Sequence, residues 1–159
     1  MNQILNRTKF NASLNNYLRE VHCICPKCGG NSIISAGSEY SMPWVPFNVK
    51  FICLNCTYRS TGYESKDSMH FVNFNYAEGL EPYFGYQLRF HINIKGHPLF
   101  IFNLKHAEDI VEYVAVEDRP NPENSKWSMV NRLPKWVKLS KNRKAVLKSL
   151  TRLIDEEAP

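Results

Sequence analysis

The chain has no apolar run of the roughly 18 residues that a membrane-spanning helix needs, so no span is expected. Its start, MNQILNRTKFNASLNNYLREV, is polar and lacks the apolar stretch of a secretory signal, which points to the cytoplasm. Several catalytic signatures are missing too. There is no GxSxG elbow, no P-loop, no GxGxxG turn and no HExxH pair. No internal repeat and no low-complexity tract is present. The sharpest absence is local and concerns charge: residues 126–152 contain nine Lys/Arg and no Asp or Glu.

The remaining composition is that of an ordinary globular protein. Hydrophobic residues make up 43% of the 159 and charged residues 22%, enough for one modest core. Aromatics reach 13%, which favours strands and half-buried surfaces. The net charge of +5 is unevenly placed. Residues 1–125 carry eleven Lys/Arg against twelve Asp/Glu, so the positive excess sits at the C-terminal end. Such asymmetry calls for an acidic partner, with DNA or RNA the first candidate and an acidic protein the next.

Five cysteines stand out, and four fall in two pairs: Cys25-Pro26-Lys27-Cys28 and Cys53-Leu54-Asn55-Cys56. In a reducing compartment disulfides are disfavoured, and closely spaced pairs read as metal ligands. A turn carrying two cysteines two residues apart can wrap one ion, and Gly29 and Gly30 free the first turn. The second pair follows after 24 residues, room for a hairpin between the turns. Zinc prefers four thiolates in a tetrahedron, so Cys25, Cys28, Cys53 and Cys56 are expected to hold one structural Zn2+. A lone redox pair would not require the second pair. A shell of four thiolates leaves no open position for substrate, so a catalytic zinc is disfavoured. Cys23 is either a buried or free thiol or a substitute for Cys25, and His22 is a packing histidine or a ligand.

These residues resemble the zinc-ribbon superfamily. The CPKCGG turn is close to that family's first knuckle, while CLNC followed by Thr57 lacks the common glycine. The resemblance covers about residues 22–60 and implies short antiparallel strands with the four cysteines as ligands. Ribbons of this kind occur in transcription factors, topoisomerases and pure interaction modules, so the resemblance fixes no function. The C-terminal string LPKWVKLSKNRKAVLKSLTRL also looks like the end of uncharacterised bacterial zinc-ribbon proteins.

Around that module the pattern alternates between strand and helix. Asn11 or Ser13 can cap a helix running to Glu20. Ile33–Ile34 and Phe47, Val49 and Phe51 mark strands, with a loop over residues 37–48. Polar residues 57–69 read as a turn away from the metal site. Val72, Phe74 and Tyr76 alternate like a strand. The clearest strand is 86–95, with Leu88, Phe90, Ile92 and Ile94 on one face; Gly96 turns it, and residues 99–102 return. Asn103 is a candidate N-cap for a helix over 104–118 packed on the hairpin. Residues 119–126 are a loop. One or two helical turns end near Pro134, and Ser140 can cap a last helix, 141–154.

At about 100° per residue, Lys141, Lys144, Lys148 and Arg152 share a sector of that last helix. Val146, Leu147, Leu150, Leu153 and Ile154 lie opposite, as for a helix with one face in a core. Lys135, Trp136 and Lys138 extend the basic patch and add an aromatic able to stack on a base. The competing reading is a solvated helix face, with basic residues offsetting the helix dipole. Searching for catalytic groups yields His70, His91, His97 and His106 with Glu64 or Asp67, but no spacing supports a site. Glu108, Asp109 and Glu112 read as a solvated helix face.

The expectation is an α+β protein: an N-terminal helix over 1–21, a zinc ribbon over 22–64, and a hairpin with helices over 65–159. The ribbon and the hairpin can share one core. Functionally it reads as a non-catalytic, nucleic-acid-associated regulatory or accessory factor of bacterial or phage type. The alternative is a protein-interaction module or complex subunit, favoured by Trp44, Tyr83, Phe84 and Tyr86. No small-molecule substrate and no membrane partner is expected.

Overall fold

A computed structural model describes residues 14–38, 46–62, 78–117 and 128–159. The expected strand at Val72–Tyr76 and the side chains of Trp44 and Phe47 lie outside the described residues. Antiparallel strands and helices make an α+β fold. The described residues fall into two compact units. The first comprises Asn16–His91 and Phe100–Asn103; the second is built chiefly from Ile92–Leu99 and Leu104–Pro159.

The first unit is built on a four-stranded antiparallel sheet in sequential order: β1 (Glu20–Ile24), β2 (Asn31–Ser38), β3 (Pro46–Cys53) and β4 (Arg59–Gly62). Alternation sets its inner face. Val21 and Cys23, Ser32 and Ile34, and Val49 and Phe51 are buried, while Lys50 and Ile52 face out. The free edge of β1 is closed by backbone bonds: His22 N–H to the Phe102 carbonyl, Ile24 N–H to that of Gln87, and Arg89 N–H to that of His22. The expected helix running to Glu20 is a single 3-10 turn, Leu14–Tyr17, over its described part. β1 begins at Glu20, because pairing with β2 and residues 87–89 satisfies these backbone groups better than a short isolated helix. Within the stretch 57–69, expected to turn away, residues 63–69 lie outside the described residues and Arg59–Gly62 is strand β4. It is a polar edge strand, Arg59-Ser60-Thr61-Gly62, and so gives no apolar alternation to read.

Leu80–Leu88 folds into a loop organised by one carboxylate. Glu81 is fully buried and accepts N–H bonds from Tyr83 (2.6 Å), Phe84 (2.9 Å) and Tyr86 (2.7 Å). The buried Tyr83 hydroxyl donates to the Leu18 carbonyl at 2.6 Å. Phe84 and Tyr86 stack at 5.3 Å and meet Phe51 edge-on, so these three rings pack on one another.

Strands β5 (Phe90–Ile94) and β6 (His97–Ile101) form a separate hairpin. Lys95 and Gly96 form its two-residue turn with φ of 52° and 83°, the pair of left-handed residues that matches strand twist. The Gly96 N–H donates to Asn93 Oδ1 at 3.0 Å. Ile92–Leu99 belongs to the second unit.

The second unit is otherwise helical: α1 (Leu104–Ala115), α2 (Met129–Arg132), α3 (Lys135–Lys138) and α4 (Arg143–Glu157). α1 and α4 pack against each other, with Ala107, Ile110 and Val114 buried on α1 and Val146 and Leu150 on α4. One cap differs from expectation, that of the last helix, and one was not foreseen. Asn103 sends its amide N–H groups to the Tyr17 and Glu20 carbonyls. Ser128 caps α2, its side chain accepting from the Asn131 N–H. Ser140 begins a 3-10 turn, Ser140–Asn142, and α4 starts only at Arg143. Asn142 precedes α4 without a side-chain capping bond; its amide N–H donates instead to the Trp136 carbonyl at 2.8 Å.

Candidate metal centre

Both cysteine pairs sit at sheet ends. Cys25 follows β1 and Cys53 closes β3, and register pairs Ser32 with Cys53 and Ser32 with Cys23. That pairing draws the two turns side by side. Each turn is closed in the same way, by a bond from the first cysteine's N–H to the carbonyl five residues on: Cys25 to Gly30 at 2.9 Å and Cys53 to Tyr58 at 3.1 Å. Within this frame every sulfur faces the N–H two residues further along. Lys27 donates to Cys25 Sγ at 3.4 Å, Gly30 to Cys28 at 3.3 Å, Asn55 to Cys53 at 3.3 Å and Tyr58 to Cys56 at 3.4 Å. Two knuckles of one design therefore face each other. In the first, Gly29 takes a φ of 73°; Thr57, at the matching place, is not left-handed, so the missing glycine does not alter the closing bond.

The four sulfurs lie within 4.8 Å of one another. Cys25 and Cys56 are 3.8 Å apart and Cys28 and Cys53 3.5 Å. A tetrahedron with metal–sulfur bonds of about 2.3 Å has edges of about 3.8 Å, so the set can hold one metal ion. Among the described residues it is the only group of three or more His, Cys, Asp or Glu so placed.

The electrostatics fit a cation-binding shell. Cys28 is lowered to about 6, first by the Asn55 side-chain N–H at 3.5 Å and then by the Gly30 N–H. Cys56 is pushed up to about 12: the Tyr58 N–H pulls down, but burial and the sulfurs of Cys53, Cys28 and Cys25 outweigh it. Four thiols this close cannot all ionise unaided, since each thiolate opposes the next; a cation at their centre reverses that. Cys23 lies outside the cluster. Burial pushes its thiol up to about 12, and its sulfur rests 3.3 Å from Ser32 Oγ.

Two residues without thiols complete the site. Asn55 reaches across to Cys28, and Gly30 makes room for it: a Cβ on Gly30 would lie 2.5 Å from the Asn55 Cβ. Tyr58 connects the second knuckle to the aromatic loop, its hydroxyl 3.2 Å from that of Tyr86, and Lys27 sits over its ring at 5.6 Å. Sequence reasoning named neither Asn55 nor Tyr58. The available signal was their place inside and just after CLNC.

The histidines scatter. His22 Nε2–H donates to the Glu20 carboxylate at 2.9 Å and the ring stacks on Phe90, His91 lies against Phe100, and His106 is fully buried in α1. His70, Glu64 and Asp67 are outside the described residues. On α1, Asp109 pairs with Lys105 at 2.9 Å.

The basic residues belong to the second unit. Lys135, Lys141, Lys144, Lys148 and Arg152 are exposed, whereas Trp136 and Lys138 are half-buried and burial lowers the Lys138 pKa. Arg152 is bonded to Glu156 at 2.7 Å, so the outward stripe of α4 ends in an ion pair. His97, exposed on the hairpin tip, stacks on Trp136 with ring centroids 5.9 Å apart. Sequence reading did not join these two.

Fold and site together define an α+β chain with a ribbon-like cluster of four cysteines able to hold a metal ion. No family model, no curated protein and no solved structure matches the chain.

Proposed function

We propose that Cys25, Cys28, Cys53 and Cys56 hold one structural Zn2+, and that the protein is a non-catalytic, nucleic-acid-associated regulatory or accessory factor of bacterial or phage type acting in the cytoplasm. Zinc suits the donor set because four thiolates at tetrahedral spacing are its commonest structural shell. The shell leaves no position for a substrate, which supports a scaffold role. Metal analysis of the purified chain should find one zinc per molecule, and Cys53→Ser should lose it together with the order of the first unit. Iron, or no metal, in anaerobically purified protein removes the zinc reading.

The observation that carries the nucleic-acid reading is the exposure of Lys135, Lys141, Lys144 and Lys148 in a segment without acid up to residue 152. Lys144 and Lys148 stand one turn apart on one face of α4 and can meet successive phosphates. Binding to DNA or RNA should weaken steeply with salt, each phosphate contact adding about 0.7–0.9 to the log–log slope. Lys144→Glu with Lys148→Glu should abolish it in fluorescence anisotropy. Absence of binding at 50 mM salt would sink this reading.

A second reading, a protein-interaction module, rests on Leu54 and Ile52, 63% and 37% exposed on the metal-bearing sheet. A stable complex purified from the source cell should then fall apart in Leu54→Asp.

A further inference from the structure

We propose that the tip of the β5/β6 hairpin and α3 together form a stacking platform for single-stranded nucleic acid. In it His97 and Trp136 receive unstacked bases, and Lys95, Lys135 and Lys141 hold the flanking phosphates. The inference rests on the nucleic-acid reading above and narrows its ligand to single strands.

Three observations carry it. The first is the ring pair. His97 and Trp136 lie nearly parallel, 29° between planes and 5.9 Å between centroids, although they come from separate parts of the second unit. His97 is exposed and Trp136 half-buried, so the stack ends at solvent rather than in a core. A base can continue such a stack, because every base offers a π face.

The second is charge. Lys95 sits two residues from His97 at the turn, Lys135 adjoins Trp136, and both are exposed. Lys141, also exposed, is carried on the 3-10 turn that Asn142 ties to the Trp136 carbonyl at 2.8 Å. Neither contributing segment, 92–99 nor 126–152, contains a single Asp or Glu. A solvated surface normally mixes both signs. Two separate acid-free segments meeting at one aromatic pair make a local field that favours a polyanion.

The third is rigidity. The hairpin turn is pinned by the Gly96 N–H to Asn93 Oδ1 bond. α3 is anchored by Val137, which is fully buried, and packs on α4. Rings held in place before binding lose less conformational entropy when a base arrives. A duplex keeps its bases stacked inward and would offer the lysines only phosphates, so the platform discriminates by strandedness, not by sequence.

The test compares three probes by anisotropy on the full chain at fixed salt: a fluorescein-labelled 20-mer of oligo-dT, a mixed-sequence duplex of equal length, and heparin as a polyanion without bases. The unsubstituted protein should prefer the single strand and show quenched tryptophan fluorescence on binding it. Trp136→Leu should lose about tenfold in affinity for oligo-dT, and the quench with it, while its salt slope and its heparin binding stay unchanged. His97→Ala should lose a smaller factor on the same probe. Should Trp136→Leu lose helical signal, the exposed His97→Ala and the quench in the unsubstituted protein decide the matter. Equal binding of single strand and duplex, insensitive to both ring substitutions but abolished by Lys144→Glu with Lys148→Glu, overturns the platform and leaves the basic surface standing. No binding to any probe overturns both.

Discussion

Gly30 has no side chain, and that is what lets Asn55 work. The Asn55 amide approaches Cys28 Sγ to 3.5 Å through space that a methyl group on residue 30 would fill. Gly30→Ala must therefore displace the Asn55 side chain from its root and remove the main influence stabilising the Cys28 thiolate. Outer-shell hydrogen bonds of this type are worth about 10–100-fold in metal affinity. We expect a loss in that range, read by competition with a chromophoric chelator, with stoichiometry unchanged. Glu81 presents the converse case of a charged group that shape alone cannot replace. Its carboxylate is buried and takes three backbone N–H bonds; burial raises its pKa against the pull of those donors. Glu81→Gln keeps the volume but turns an N–H2 toward N–H donors. One or more of these donors then loses its partner, at a cost of about 1–3 kcal/mol in urea melts. The four cysteines were legible in the sequence because their spacing is local. Asn55 and Gly30 were not legible as partners, since their contact depends on how two turns are brought face to face.

Elements that bury one apolar face were readable, and those defined by backbone pairing alone were not. Strands β3 and β5 announce themselves through Val49 and Phe51 and through Phe90, Ile92 and Ile94. β4 has no apolar alternation and exists because β3 offers it a ladder from Val49 to Ile52. The start of the last helix was misjudged for a related reason. Ser140 looks like a cap in sequence, yet it opens a 3-10 turn that Asn142 ties to the Trp136 carbonyl, and α4 starts only at Arg143. The apolar pattern of α4 was legible and yields a graded prediction. Leu150 is fully buried on the face that meets α1, whereas Leu147 is half-buried. Leu150→Ala should cost about 2–5 kcal/mol, and Leu147→Ala distinctly less, by the lowered urea midpoint of the 222 nm helical signal. Equal costs would mean that the packed face of α4 lies elsewhere.

At the scale of the whole molecule, the division into two units separates two kinds of stabilisation. The first unit contains the cysteine cluster and the Glu81 loop; the second contains helices packed around apolar side chains, with His106, Ser128 and Asn142 the buried polar residues among those described. The titratable one is His106, fully buried, its pKa lowered to about 3 by desolvation. The folded chain keeps it neutral while the unfolded chain protonates it near 6.5, so its contribution is complete above pH 6.5. It is lost progressively as pH falls from 6.5 toward 3, at up to about 1.4 kcal/mol per pH unit. Glu81 acts in the opposite sense. Its folded pKa is raised above 4.5, so the folded state takes its proton first, and stability rises as pH falls through the interval just above 4.5. Comparing unsubstituted protein with His106→Leu isolates the histidine, because Glu81 is common to both. The helical signal of the unsubstituted chain should lose stability between pH 6.5 and 4 more steeply than that of His106→Leu, whatever their relative stability at pH 7. Parallel slopes for the two proteins would show that His106 is already charged in the folded state, and that the centre of the helical unit is wetter than its burial implies.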